Sequence, residues 1–186
     1  MNEMRVFLAV EIDEKLLDKI STVQKKFMEC EAPIKYVETK NLHCTLKFFG
    51  EIDDNKLNDI VEAIENKINN HDPFKINIKK SGVFPNERYI RVIWLGIEDP
   101  QPFSNLQKDL DQDFIKMGFK KEKSYVPHLT LGRVKGAKNK AALLSKLKDL
   151  EDVEIGEMDI KKIVLKKSEL TPQGPVYTTI KEFDLE

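Results

Sequence analysis

His43-Cys44-Thr45-Leu46 and His128-Leu129-Thr130-Leu131 are one tetrad, His-x-Thr-Leu, written twice and 85 residues apart. The chain has three histidines, and these motifs take two of them. At average residue usage such a tetrad arises by chance in roughly one chain of this length in fifty, and a pair in only about a few in ten thousand. A core seldom needs the same polar pair twice at matching positions. The repetition points to two halves that deliver matched groups to one shared site. Two imidazoles, each with a hydroxyl two residues on, suit acid–base chemistry on phosphate.

The surrounding sequence supports the duplication. Arg5 to Ile12 is a strand apolar on both faces, and Leu16, Leu17, Ile20, Val23 and Phe27 follow at helical spacing behind the capping Asp13. A strand from about Leu42 to Phe49 ends at Gly50. Leu57, Ile60, Val61, Ile64 and Ile68 form a helical stripe opened by Asp53-Asp54-Asn55, and Phe74, Ile76 and Ile78 alternate as a strand. The order then restarts: Tyr89–Ile97 strand, Phe103–Met117 helix ended by Gly118, His128–Val134 strand, a helix on Leu143, Leu144 and Leu147, and a strand on Val153, Ile155 and Met158. Ile163-Val164-Leu165 and Val176–Phe183 add two strands around the turn Thr171-Pro172-Gln173-Gly174-Pro175. This predicts an α+β protein of two pseudo-symmetric lobes, each an antiparallel-rich sheet backed by helices, with the site in the cleft between them. Residues 1–186 read as one two-lobed catalytic domain whose sequence repeats run roughly 1–85 and 86–186, with no linker between them.

Side chains alternate along a strand. Strict alternation puts His43, Thr45 and Lys47 on one face and Cys44, Leu46 and Phe48 on the other. It likewise groups His128, Thr130 and Gly132 against Leu129 and Leu131. The apolar sets anchor the strands, and the polar sets meet across a common groove. There one imidazole acts as base and the other as acid, and the threonine hydroxyls hold phosphate oxygens.

Composition narrows the function. With 40% apolar and 34% charged residues and a formal net charge of −1, the 186-residue chain reads as a soluble globular protein and not a globally basic nucleic-acid binder. Any grip on RNA must come from a local patch. Lys35, Lys40 and Lys47 around the first motif and Lys120, Lys121 and Lys123 before the second are the candidates. No cleavage-site pattern and no run of about 18 apolar residues occurs, so no membrane is involved and a cytoplasmic location is expected. Cys30 and Cys44 fit neither a zinc site nor a disulfide framework.

Rival chemistries are weaker. The pleat separates Cys44 from His43, which argues against a Cys–His nucleophile. His71 falls in the turn Asn69–Pro73 and reads as solvated, and with it the histidines still lack zinc spacing. Asp109, Asp111 and Asp113 imitate the start of a calcium loop. Phe114 and Lys120 occupy the positions that need glycine and glutamate, so a charged helix face is the better reading. No metal site and no cofactor is expected. Tyr36 and Phe7 read as core more than as stacking platforms.

Beyond the tetrads the chain resembles the RNA 2′,3′-cyclic phosphodiesterases, historically called 2′-5′ RNA ligases, of the two-histidine phosphoesterase superfamily. The resemblance runs through Met4–Val10, Ile34–Val37, Asn41–Gly50, Phe84-Pro85-Asn86, Arg91–Gly96, Pro127–Arg133 and Ser168–Tyr177. Tyr36 stands where the family commonly has tryptophan, and Cys44 where it has a bulkier apolar residue. The resemblance implies metal-free hydrolysis of RNA 2′,3′-cyclic phosphate ends to 2′-phosphates, with His43 as proton donor and His128 as proton acceptor. Arg133 falls where the family keeps a phosphate-contacting arginine, although strict alternation turns it away from His128. The partner is then RNA with a 2′,3′-cyclic phosphate end, and a monomer is expected. Two rival readings use the same residues: 2′-5′ joining of RNA ends, and a non-catalytic RNA-end-binding module.

Overall fold

Nine strands and four α-helices make up the computed structural model, which describes residues 2–186. Their order is β1 (Met4–Glu11), α1 (Glu14–Met28), β2 (Ile34–Tyr36), β3 (His43–Ile52), α2 (Asp54–Ile68), β4 (Phe74–Asn86), β5 (Tyr89–Glu98), α3 (Gln101–Lys116), β6 (His128–Val134), α4 (Lys140–Asp149), β7 (Glu154–Ile160), β8 (Lys162–Thr171) and β9 (Gly174–Asp184). The predicted caps are in place. Asp13 accepts from the Lys15 amide at 3.1 Å and Asp53 from the Lys56 amide at 2.8 Å, each satisfying a helix-end donor. The stripes Leu16, Ile20, Val23, Phe27 and Ile60, Ile64, Ile68 are buried as their spacing requires.

All strands join one antiparallel sheet in the order β7-β4-β5-β6-β3-β1-β8-β9, with β2 paired to β6. The fold is α+β with two pseudo-symmetric lobes: the order reads the same outward from the β6–β3 seam, so β5 matches β1 and β4 matches β8. The halves interleave. β4 follows α2 in the chain yet pairs with β5, and β8 returns to pair with β1. The helices cross in the same way: α1 packs on β7 and α4, while α3 packs on α2 and β3.

Three elements depart from the sequence expectation. β2 is too short to show a periodicity of its own and forms by pairing with the far end of β6. β4 runs on through Asn86, well past Ile78. Gly50 does not end β3: it takes a positive φ of 74° beside a bulge, where Val6 opposes Gly50 and Phe7 opposes Phe48, and pairing continues to Ile52.

Candidate active site

The seam between the lobes is where the motifs meet. β3 and β6 run antiparallel with Cys44 opposite Leu129, both fully buried in the core beneath. Carried one residue either way, that register sets His43 across from Thr130 and His128 across from Thr45. All four side chains therefore share the face away from the core. The histidines occupy one diagonal of this square and the threonines the other. Diagonal neighbours in an antiparallel ladder stand about 7–8 Å apart, which leaves room for one phosphate between two imidazoles.

One residue beyond each square the strands bulge, at matching places. In β3 Leu8 opposes Lys47 while Ala9 opposes Thr45, so Leu46 is the extra residue. In β6 Ile93 opposes Gly132 while Trp94 opposes Thr130, so Leu131 is the extra residue. A bulge reverses the alternation beyond it, and this corrects the strict-alternation faces. Lys47 turns into the interior, 3% exposed, and Phe48 turns out to the groove, 62% exposed. Gly132 turns inward and Arg133 turns outward to the histidine side. A Cβ on Gly132 would lie 2.7 Å from Ile34 Cγ2, so β2 packs where only a glycine leaves space.

A bulge frees backbone groups that must find partners. Two buried glutamines supply them across the pseudo-symmetry. Gln24 of α1 donates through Nε2 to the Leu131 carbonyl (3.0 Å) and the Val37 carbonyl (2.9 Å), and Gln107 of α3 donates to the Leu46 carbonyl (2.9 Å). Each half thus braces the motif strand of the other.

His43 is held from behind. Its Nδ1 lies 2.6 Å from the Asn41 carbonyl, which can only accept, so Nδ1 carries a proton and Nε2 is the free ring nitrogen. Phe7 packs on it at 5.0 Å and Tyr177 stands edge-on at 5.5 Å. At His128 the Val126 backbone, two residues upstream, favours the protonated ring as Asn41 does at His43, and Phe84 stands edge-on at 4.8 Å. Burial lowers both imidazole pKa values from 6.5. The backbone at Asn41 and at Val126 opposes that shift, and the Arg133 guanidinium adds to it at both rings. At His43 the Lys166 ammonium lowers the value and the Glu11 carboxylate raises it; these two are themselves paired at 3.1 Å. Tyr177, Phe84 and Lys166 are the neighbours that sequence reasoning missed as site residues. Two of them lie in stretches already quoted for the resemblance, Phe84-Pro85-Asn86 and Ser168–Tyr177.

Other candidates fall away from the groove. Lys47 binds Asp111 (2.6 Å), Glu122 (3.3 Å) and the Lys120 carbonyl (2.6 Å), so it is not available to RNA. Asp111 also accepts from the Tyr125 hydroxyl and the Glu122 amide, so the Asp109–Asp113 face is partly interior. His71 is not simply solvated: its Nε2 lies 2.8 Å from Asp109, whose other oxygen accepts from Lys67 at 3.0 Å. Burial pushes the Cys44 thiol and the Tyr36 phenol each up to about 12, which leaves both groups protonated and inert. Phe7 is 2% exposed, a wall rather than a platform. Among the described residues no three His, Cys, Asp or Glu side chains converge as metal ligands, and no helix is long and apolar enough to cross a membrane.

The sequence profile of the 2′-5′ RNA ligase superfamily matches residues 5–170. A Methanothermobacter thermautotrophicus protein named RNA 2′,3′-cyclic phosphodiesterase is 49% identical over 98% of this chain and all of its own length. A Methanocaldococcus jannaschii protein of the same name is 44% identical over 97% of this chain and all of its own. Among solved structures, one from Thermus thermophilus superposes with a TM-score of 0.83 at 28% identity, covering 98% of each chain. Escherichia coli LigT complexed with 3′-AMP shares the fold, with a TM-score of 0.80 at 23% identity over 99% of each chain.

Proposed function

The chain belongs to the 2′-5′ RNA ligase superfamily, and from that premise we propose that it hydrolyses RNA 2′,3′-cyclic phosphate ends to 2′-phosphomonoesters by metal-independent acid–base catalysis between His43 and His128. The observation that carries this reading is the register at the seam, which sets the histidines and threonines on crossed diagonals of one square, with Arg133 turned toward it by a bulge. In-line displacement needs a proton acceptor and a proton donor on opposite sides of phosphorus, and a diagonal supplies that. His128 takes a proton from water as its oxygen bonds to phosphorus. The bond from phosphorus to the 3′-oxygen breaks, and His43 Nε2–H gives that oxygen its proton. Thr45, Thr130 and Arg133 hold the non-bridging oxygens, whose charge they neutralise by hydrogen bonds and a guanidinium fork. The donor and acceptor roles follow the family resemblance, since the square itself is nearly symmetric. A cytoplasmic monomer acting on RNA ends completes the reading.

The test is a 2′,3′-cyclic phosphate oligonucleotide incubated with the chain in strong chelator, with the product identified by phosphorus NMR. A 2′-phosphate is expected. A 3′-phosphate would reverse the proton roles, a dependence on added metal would overturn the acid–base mechanism, and binding without turnover would leave an end-binding module.

The pH dependence follows from the histidine environments. The free chain must hold one imidazole protonated and the other neutral, and both pKa values are lowered from 6.5. The kcat/KM profile is therefore a bell centred below about pH 6.5. An anionic phosphate bound between the rings favours imidazolium, so the kcat profile sits at higher pH. In Arg133→Gln a cation that lowers both rings is gone. Its kcat/KM optimum moves to higher pH while KM rises about tenfold. An unshifted optimum in that variant would place Arg133 outside the reacting groups.

A further inference from the structure

Lys35 stands directly opposite Arg133 in the β2–β6 ladder, and directly opposed residues share a face. The bulge at Leu131 has turned Arg133 to the groove side, so Lys35 is on that side as well. Both are exposed. Two residues on, the Lys135 amide donates to the Pro33 carbonyl at 2.7 Å, which continues the ladder and puts Lys135 next along the same side. Like charges placed opposite one another weaken a sheet unless an anion lies between them. Among the described residues no carboxylate comes within ion-pair distance of any of the three, although acidic residues outnumber basic ones by 32 to 31. The neighbouring Lys40, by contrast, is paired with Glu38 at 3.5 Å. The strip begins at the proposed phosphate square and leads away from it along β6 and β2.

We infer that Lys35, with Lys135 beyond it, forms a second subsite that binds the phosphodiester preceding the cyclic end, so that the chain prefers polynucleotide ends to cyclic mononucleotides. The inference rests on the proposed function, and it assigns the residues that hold the strand beyond its cyclic end. Arg133 borders both subsites, while Lys35 faces only the outer one. A single-stranded backbone tracked by lysines gains affinity through counterion release, with no need for base-specific contacts.

The test compares 2′,3′-cyclic AMP with a trinucleotide ending in a 2′,3′-cyclic phosphate, on the parent and on Lys35→Gln and Lys135→Gln. For the trinucleotide, Lys35→Gln raises KM about five- to tenfold with kcat unchanged. The magnitude of the slope of log affinity against log salt falls by about 0.7, the value for one lost phosphate contact on a single strand. For the cyclic mononucleotide, KM and kcat stay at parental values. Equal losses on both substrates, or none on the trinucleotide, would overturn the subsite. Anisotropy titration of a fluorescent trinucleotide carrying a 2′-phosphate end reads the same contact without turnover. Parental hydrolysis of 2′,3′-cyclic AMP alongside unchanged trinucleotide binding in Lys35→Gln would remove the subsite and leave the proposed function standing.

Discussion

His43→Ala and His128→Ala each lower kcat on a 2′,3′-cyclic phosphate end by about 10²–10⁴-fold, the usual contribution of a positioned acid or base. The loss falls on kcat more than on KM, because the proposed phosphate-holding groups Thr45, Thr130 and Arg133 are left in place. Each single variant keeps one limb of the bell-shaped pH profile and loses the other. In His128→Ala the limb that rises with deprotonation of the acceptor disappears; in His43→Ala the limb that falls as the donor loses its proton disappears. The double variant is less impaired than the product of the two single effects, because the residues act as a unit and the remaining groups still position the phosphate. Folding survives, since both rings lie on the groove side of the sheet and neither belongs to the buried hydrophobic core. Single-turnover rates together with far-ultraviolet circular dichroism make the check. A folded single variant with parental turnover would end the two-histidine mechanism.

The square of histidines and threonines was legible in the sequence because it depends only on alternation over three residues. Three-residue alternation is robust where its middle residue, Cys44 or Leu129, is apolar and buried. One residue further the rule failed twice. The bulges bury Leu46 with Lys47 and Leu131 with Gly132, and neither a lysine nor a glycine announces an interior position. Arg133 was therefore identified by resemblance while its geometry pointed the wrong way, and the bulge removes the conflict. Gln24 and Gln107 could have signalled the bulges. Each is a polar residue among the buried residues of an amphipathic helix, and a buried amide needs a backbone partner. The interleaving of β4 and β8 left no such mark, since periodicity identifies a strand but not the neighbour it pairs with. β2 has three residues and exists only because Gly132 leaves space for Ile34 and Tyr36.

Lys47→Met destabilises the chain by about 3–5 kcal/mol, the cost of stranding one member of a buried ion pair. Lys47 and Asp111 are 3% and 1% exposed and 2.6 Å apart. Burial works to raise the Asp111 carboxyl, and the Lys47 ammonium, the Glu122 amide and the Tyr125 hydroxyl outweigh it and hold its pKa below 3.8. Stability from this carboxylate is thus fully present above about pH 4 and fades as pH falls through its folded value. Without the ammonium the sign reverses, because an unpaired buried carboxylate prefers its proton. The gap between parent and Lys47→Met is therefore widest near neutrality and narrows in acid. Urea unfolding at several pH values measures it, and Lys47→Met combined with Asp111→Leu, which leaves no stranded charge, recovers much of the loss. A pH-independent gap would mean lost packing and not a stranded charge. The same cluster fixes the segment that leads into the second motif: Lys47 holds the Lys120 carbonyl, Asp111 holds Glu122 and Tyr125, and Ser104 holds the Tyr125 carbonyl at 2.6 Å. That segment ends at Val126, two residues before His128, and its backbone favours the protonated His128 ring. The residue that follows the first tetrad in its bulge therefore secures the approach to the second, so Lys47→Met lowers kcat as well as stability.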